Sequence, residues 1–176
     1  VNLSDIAAMG ATPVWANLIF SLPVITKEWV DKFILGFSSL ANEYNIALIG
    51  GDTICGPEFF AVSLQGIVAD NRYISRAGAQ LGDSIYVSGC LGSASFGREM
   101  IEQDKIAPIN QPLVKKFLYP TPRVEQAKEL NELASSMIDL SDGLYCDLGK
   151  ILSESVKGAW IDVSRLPISE KLNYFL

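Results

Sequence analysis

Residues 14–53, VWANLIFSLPVITKEWVDKFILGFSSLANEYNIALIGGDT, decide the fold because two hydrophobic patterns follow each other there. Residues 14–22 are almost continuously apolar and predict a buried strand. Thr26 is suited to cap a helix, and large apolar side chains then recur every three or four residues, which is typical of a helix packed on a sheet. They are Trp29, Phe33, Phe37, Leu40 and Tyr44. Residues 46–49 predict a second strand, which ends at Gly50 and Gly51.

Strand and helix patterns alternate over the rest of the chain, which predicts an α/β (α+β) fold. The apolar or alternating segments that predict further strands are residues 58–68, 84–88, 137–140 and 159–163. Helical patterns are found in residues 4–8, in a segment that ends near 103, in residues 122–133, and after Ser141. The Gly- and Ala-containing connection at residues 76–82 predicts a domain boundary, which divides residues 1–77 from residues 78–176.

Composition and charge narrow the class of partner. A chain of 176 residues with 49% hydrophobic content is long and apolar enough to bury a core. It has 14 Lys and Arg against 20 Asp and Glu, a net charge of -6, and no basic patch that would follow a nucleic-acid backbone. Nucleic acid is therefore not the expected partner. An anionic nucleotide stays compatible with this charge if divalent cations lie between its phosphates and the carboxylates.

The chain contains no histidine and three widely spaced cysteines. This excludes Ser-His-Asp and Cys-His catalysis within these residues, and the cysteines lack the paired spacing of a zinc site. Reduced thiols, no apolar run of roughly 20 residues and no basic flank at the start VNLSDIAAMG predict a cytoplasmic protein that does not enter a membrane. The first residue is Val1, so a segment of a longer protein is expected.

Aspartates in short segments of small residues are the candidate functional groups. Asp52 follows Gly50 and Gly51, whose missing side chains would let the backbone turn and approach a ligand closely. Asp5 lies in VNLSDIAAMGA. Each has an ordinary alternative, because Gly-Gly-Asp also forms a plain turn and Ser4 with Asp5 also suits the start of a helix.

The segment IDLSDG places Asp139 and Asp142 around Ser141 at a strand-to-helix junction. Unpaired N–H groups at a helix start attract phosphate, and the carboxylates attract a cation. The alternative is that Ser141 caps the helix and Asp142 complements the helix dipole. Carboxylates about 4 Å apart repel by about 4 kcal/mol at an effective dielectric constant near 20, so a convergent cluster would require metal. Arg76 either binds phosphate oxygens or is a solvated surface residue.

Several linked motifs make the chain resemble the thiamine-monophosphate kinase family. They are VNLSDIAAMGATP, GGDT, SRAGAQLGDSIYVSGCLG, YPTPRV and MIDLSDGLYCDLGKIL, in matching order over residues 1–169. The resemblance implies a two-domain fold like that of aminoimidazole ribonucleotide synthetase, with mixed sheets covered by helices. It also implies that residues 1–77 are part of an N-terminal domain that binds ATP and forms a homodimer, and that residues 78–176 are part of a C-terminal domain.

The same resemblance implies a reaction and a set of site residues. The γ-phosphate of ATP would pass directly to thiamine monophosphate, assisted by magnesium, and the product would be thiamine diphosphate. The residues that match magnesium ligands of the family are Asp5, Asp52, Asp139 and Asp142. The residues that match ATP contacts are Gly51, Asp52, Arg76 and Ser141. No residue matches a catalytic nucleophile, because the substrate phosphate attacks.

Two alternatives stay open. Family members begin earlier, with an acidic GDDAA-like segment, and continue beyond residue 176, so this fragment alone is expected to be inactive. It would then be a nucleotide-binding or dimerisation module. The other alternative is an ATP-dependent enzyme like aminoimidazole ribonucleotide synthetase, although GGDT and LSDGL favour the kinase.

Overall fold

A three-stranded mixed sheet forms around the first apolar segment of the chain. The computed structural model describes residues 1–69, 72–103 and 111–173. Strand β1 (Thr12–Leu22) lies in the centre, with β2 (Ala47–Cys55) parallel on one side and β3 (Phe59–Ile67) antiparallel on the other. Helix α2 (Lys27–Glu43) connects β1 to β2, because parallel neighbours require a crossover. The predicted strand, helix and strand are confirmed.

Helix α2 covers one face of this sheet through Trp29, Phe33 and Phe37 of the predicted apolar stripe, whereas Leu40 is exposed. The Thr26 Oγ1 accepts a hydrogen bond from the Trp29 N–H at 3.3 Å, which confirms the predicted N-cap. The buried core consists of Leu18, Phe20 and Leu22 on β1. Partly buried apolar side chains pack against it: Trp29, Val30, Phe33, Ile34, Phe37 and Val62. These contacts therefore place α2 on the face of β1 that carries Leu18, Phe20 and Leu22.

Two short helices complete this part of the molecule. Helix α1 (Asn2–Ala8) buries Leu3 and Ala7, and α5 (Val124–Glu129) packs against it. The helix predicted over residues 122–133 is shorter in the structure. Its end tightens where the Leu130 N–H is shared between two carbonyl groups, at 3.3 and 3.2 Å.

Among the described residues, the other helices are α3 (Ser93–Glu102), α4 (Pro112–Leu118), α6 (Leu144–Ser155) and α7 (Glu170–Asn173), and 3-10 turns cover Arg76–Gly78 and Val163–Arg165. Helices α3 and α4 pack closely, because a Cβ at Gly97 would lie 2.1 Å from the Leu113 carbonyl oxygen. None of the helices that the structure describes is long and apolar enough to cross a membrane.

The chain forms two compact units. One contains Asn2–Tyr73 and Val124–Glu132, and the other contains Ile74–Arg123 and the chain from Leu133 onward. Helix α5 thus belongs to the unit of the sheet although it is distant in sequence. The assignment of ATP binding and dimerisation to residues 1–77 stays a prediction.

Three predicted strands are wrong. Residues 84–88, 137–140 and 159–163 form no strand in the structure, and beyond β1–β3 the described residues contain one isolated bridge, between Leu91 and Ile168. Ile85 and Tyr86 are exposed. A strand requires a neighbouring strand for its N–H and C=O groups, and among the described residues these apolar segments form no ladder with another strand.

Candidate functional site

The segment GGDT lies inside β2 instead of following it. Ala16 of β1 pairs with Leu48, but the next residue, Asn17, pairs with Gly50, so Ile49 is the extra residue of a bulge. Pairing then continues to Cys55. The prediction that the strand ends at Gly50 and Gly51 is wrong. The bulge adds one residue to β2, and the pairing with β1 continues after it.

Gly51 is required by the backbone of the neighbouring strand. Its φ is +147°, and a Cβ there would lie 1.8 Å from the Leu18 carbonyl oxygen. The close approach is therefore made to β1, which accounts for the glycine without a ligand. Its predicted contact with ATP stays a prediction.

Asp52 is presented on the sheet face that α2 does not cover. It pairs in register with Ile19, which alternates with the buried Leu18 and Phe20. The Asp52 side chain is exposed, and its Oδ1 accepts a hydrogen bond from the Thr53 N–H at 2.8 Å. In the single chain, Asp52 is thus accessible, on the same sheet face as Ile19.

Asp5 lies in the first turn of α1 and is exposed. The helix begins at Asn2, so the prediction that Ser4 or Asp5 caps it is wrong. The Asn2 side chain instead reaches the sheet and donates to the Val62 carbonyl oxygen at 3.3 Å.

Arg76 combines a fixed backbone with an exposed side chain. Its carbonyl oxygen accepts a hydrogen bond from the Ser155 Oγ at 2.8 Å, and the same Oγ accepts the Ala79 N–H at 3.1 Å. A Cβ at Gly78 would lie 1.7 Å from the Ser135 carbonyl oxygen. The turn that carries Arg76 is therefore anchored to the end of α6, and its guanidinium faces solvent.

Asp147, which sequence reasoning missed, organises the start of α6. Its Oδ2 accepts the N–H groups of Ser141, Asp142 and Gly143 at 2.9, 2.9 and 3.0 Å, and its side chain is 0% exposed. The N-cap residue is Gly143, so the prediction that Ser141 caps the helix is wrong. The signal is the spacing SDGLYCD, in which an acidic side chain reaches back over the helix start, as in a capping box.

These three N–H groups are not open to phosphate. The prediction of unpaired N–H groups in IDLSDG is wrong at these positions, because the protein supplies its own carboxylate there. The hydroxyl of Ser141 stays a predicted ATP contact. Asp139 is half-buried just before it.

Lys150 connects Asp142 to Asp147. Its Nζ donates to Asp142 Oδ2 at 2.7 Å and to Asp147 Oδ1 at 2.9 Å. Burial opposes ionisation of Asp147, but the hydrogen bonds from Lys150 and from the three N–H groups outweigh it, so the pKa of Asp147 lies below its ordinary value. The hydrogen bonds with Asp142 and Asp147 raise the pKa of Lys150. Asp147 and Lys150 are therefore both charged at neutral pH.

The predicted site residues are divided between the two compact units. Arg76, Ser141 and Asp142 belong to one compact unit, whereas Asp5 and Asp52 belong to the other. Within the described ranges, no three acidic or thiol side chains form a group spaced to hold a metal ion. The four aspartates supply the oxygen ligands that magnesium prefers, and their assignment as ligands stays a prediction.

The first 68 residues match the family model described as AIR synthase related protein, N-terminal domain. Thiamine-monophosphate kinase of Escherichia coli (strain K12) is 43% identical over 176 residues, 98% of this chain and 54% of that protein. The chain is homologous to thiamine-monophosphate kinases. The predicted resemblance is confirmed.

Solved structures of thiamine-monophosphate kinases give the same result. The enzyme from Stenotrophomonas maltophilia K279a has a TM-score of 0.93 and 41% identity, and the match covers 99% of this chain and 58% of that one. AaThiL complexed with AMPPCP and TMP has a TM-score of 0.89 and 31% identity, covering 99% of this chain and 57% of that one. The predicted fold class is confirmed. The chain spans about half the length of the curated relatives it matches.

Proposed function

We propose that the full-length protein that carries this chain transfers the γ-phosphate of ATP directly to the phosphate of thiamine monophosphate. The observation that carries the proposal is the match of 99% of this chain to AaThiL complexed with AMPPCP and TMP. AMPPCP has the three phosphates of ATP but cannot release the last one, so that pair of ligands has the composition of a kinase before phosphoryl transfer.

The proposed chemistry needs positioning and charge neutralisation more than proton transfer. A phosphate oxygen of thiamine monophosphate attacks the γ-phosphorus, the bond to the β-phosphate oxygen breaks, and ADP leaves. Magnesium, when bound, supplies neutralisation of the phosphate charge. The predicted ligands Asp5, Asp52, Asp139 and Asp142 would hold it, and the exposed Arg76 guanidinium suits a phosphate oxygen. A chain with no histidine fits a reaction that requires no protein base.

We also propose a homodimer formed through the sheet of the N-terminal part. The sheet face opposite α2 carries large apolar side chains that are exposed in the single chain. They are Trp15 at 41%, Ile19 at 38%, Ile54 at 47% and Phe59 at 56% exposure. An exposed apolar patch of this kind is typical of a protein interface. Sedimentation of the full-length protein at monomer mass at 10 µM, roughly the concentration at which weak dimers form, would contradict it.

The proposed setting is the cytoplasm, supported by three free cysteines with exposed side chains, Cys55, Cys90 and Cys146, since the cytoplasm keeps such thiols reduced. The chain alone, which lacks about half of the length of its relatives, is proposed to be inactive.

Incubation of the full-length protein with ATP, MgCl₂ and thiamine monophosphate tests the function. We expect thiamine diphosphate and ADP in equal amounts on ion-exchange chromatography, and their loss in Asp52→Ala. Glu28→Ala is the control, because Glu28 is exposed on the surface of α2 and pairs there with Lys32. The match to an AIR synthase related domain favours one second candidate, an enzyme that uses ATP to activate an amide. It would release ADP and inorganic phosphate and leave thiamine monophosphate unchanged.

A further inference from the structure

Lys150 lies beside Asp142, one of the carboxylates proposed to bind a metal cation. Its Nζ lies 2.7 Å from Asp142 Oδ2, and the Asp142 side chain is 61% exposed. A carboxylate oxygen that holds an ammonium group at this distance is not free for a second cation on the same side. A metal cation and the Lys150 ammonium group must therefore compete for the Asp142 carboxylate or share it.

Lys150 is held in this position from its other side. Asp147 lies one helical turn before it, and the Asp147 Oδ1 accepts from the Nζ at 2.9 Å. The Asp147 carboxylate is itself fixed by three backbone N–H groups and is fully buried. Lys150 therefore differs from the exposed lysines of α2, whose ion pairs link two solvated side chains.

We propose that Lys150 is a built-in counter-cation, which neutralises Asp142 while no divalent ion is bound and releases the Asp142 oxygen when one binds. The inference rests on the proposed magnesium role of Asp142. Asp147 makes the exchange possible, because the ammonium group keeps a carboxylate partner after it leaves Asp142. No charged group is left unpaired in either state.

The proposal predicts in which direction the affinity for the metal ion changes when the ammonium group is removed. A purely structural lysine would lower stability without changing metal affinity, and a lysine that helps to build the metal site would weaken metal binding when removed. A competing counter-cation does the opposite. Lys150→Met keeps most of the length of the side chain and removes its charge, so metal binding should become tighter.

Titration calorimetry of the full-length protein with MnCl₂, in the absence of nucleotide, measures this affinity without turnover. We expect the Kd for Mn²⁺ in Lys150→Met to be about twofold to fivefold lower than in wild type, the range of an exposed ion pair. Lys150→Arg retains the charge and should bind as wild type does. Lys32→Met removes a comparable surface ion pair and should also leave the Kd unchanged.

An unchanged or higher Kd in Lys150→Met, with wild-type binding intact, would overturn the counter-cation alone. Absence of Mn²⁺ binding in wild type would overturn the metal role of Asp142 as well. If Lys150→Met does not fold, Lys150→Gln carries the same expectation, because it also lacks the charge.

Discussion

Asp147→Ala should strongly destabilise the start of α6. The carboxylate accepts three backbone N–H groups at 2.9, 2.9 and 3.0 Å and the Lys150 ammonium at 2.9 Å. Hydrogen bonds to a charged group contribute about 1.5–3 kcal/mol each. Ser141, Asp142 and Gly143 are exposed, so water replaces part of what is lost, and we expect a net loss of about 3–5 kcal/mol, as for one partner of a buried ion pair.

Urea unfolding followed by circular dichroism, with hydrogen exchange of the α6 amides, measures this loss. Asp162→Ala is the matched control. Its Oδ1 accepts from the Ser164 N–H at 3.0 Å and from the Ser164 Oγ, but the residue is partly exposed, and a cap of this kind contributes about 1 kcal/mol. If Asp147→Ala lost no more stability than Asp162→Ala, the reasoning that Asp147 anchors residues 141–143 would be refuted.

Three further predictions concern Gly51, the pH dependence of Asp147 and the exposed Arg76. Gly51→Ala should lower the free energy of unfolding in urea by more than about 3 kcal/mol, because its Cβ would lie 1.8 Å from the Leu18 carbonyl oxygen. Gly36→Ala, which has nothing within 4 Å, should be neutral or stabilising. Equal effects of the two substitutions would contradict the close approach of Gly51 to β1. Folding lowers the pKa of Asp147. The ionised Asp147 carboxylate therefore stabilises the folded state above its pKa in the unfolded chain, about 3.9. This stabilisation is lost as the pH falls through the lower pKa of the folded state. Melting temperature should therefore fall less steeply below about pH 4 in Asp147→Asn than in wild type, and parallel curves would contradict this. Arg76→Ala should weaken AMPPCP binding about tenfold or more in calorimetry with an unchanged melting temperature, because its side chain is exposed and its backbone makes the structural contact; unchanged binding would leave Arg76 as a surface residue.

The sheet and α2 could be predicted because their signals are local. A continuous apolar run followed by side chains at helical spacing specifies β1 and α2, and Thr26 marks the point where the helix begins. Local signals of this kind could not show whether residues 84–88, 137–140 and 159–163 form strands. Their apolar character is visible in the sequence, but a strand also depends on a pairing partner elsewhere in the chain.

Two features of the candidate site depend on contacts that spacing does not reveal. The bulge at Ile49 lets β2 continue through Gly50 and Gly51, and only the register against β1 shows it. At IDLSDG, Ser141 and Asp147 were both able to satisfy the helix start in principle. In the structure Asp147 takes this role, because its side chain is buried and accepts hydrogen bonds from three N–H groups.

The fate of the γ-phosphate tests the central claim most directly. Full-length protein with ATP labelled at the γ-phosphate, MgCl₂ and thiamine monophosphate should place the label on the terminal phosphate of thiamine diphosphate. Label recovered only as inorganic phosphate, with thiamine monophosphate unchanged, would contradict direct transfer between the two phosphates.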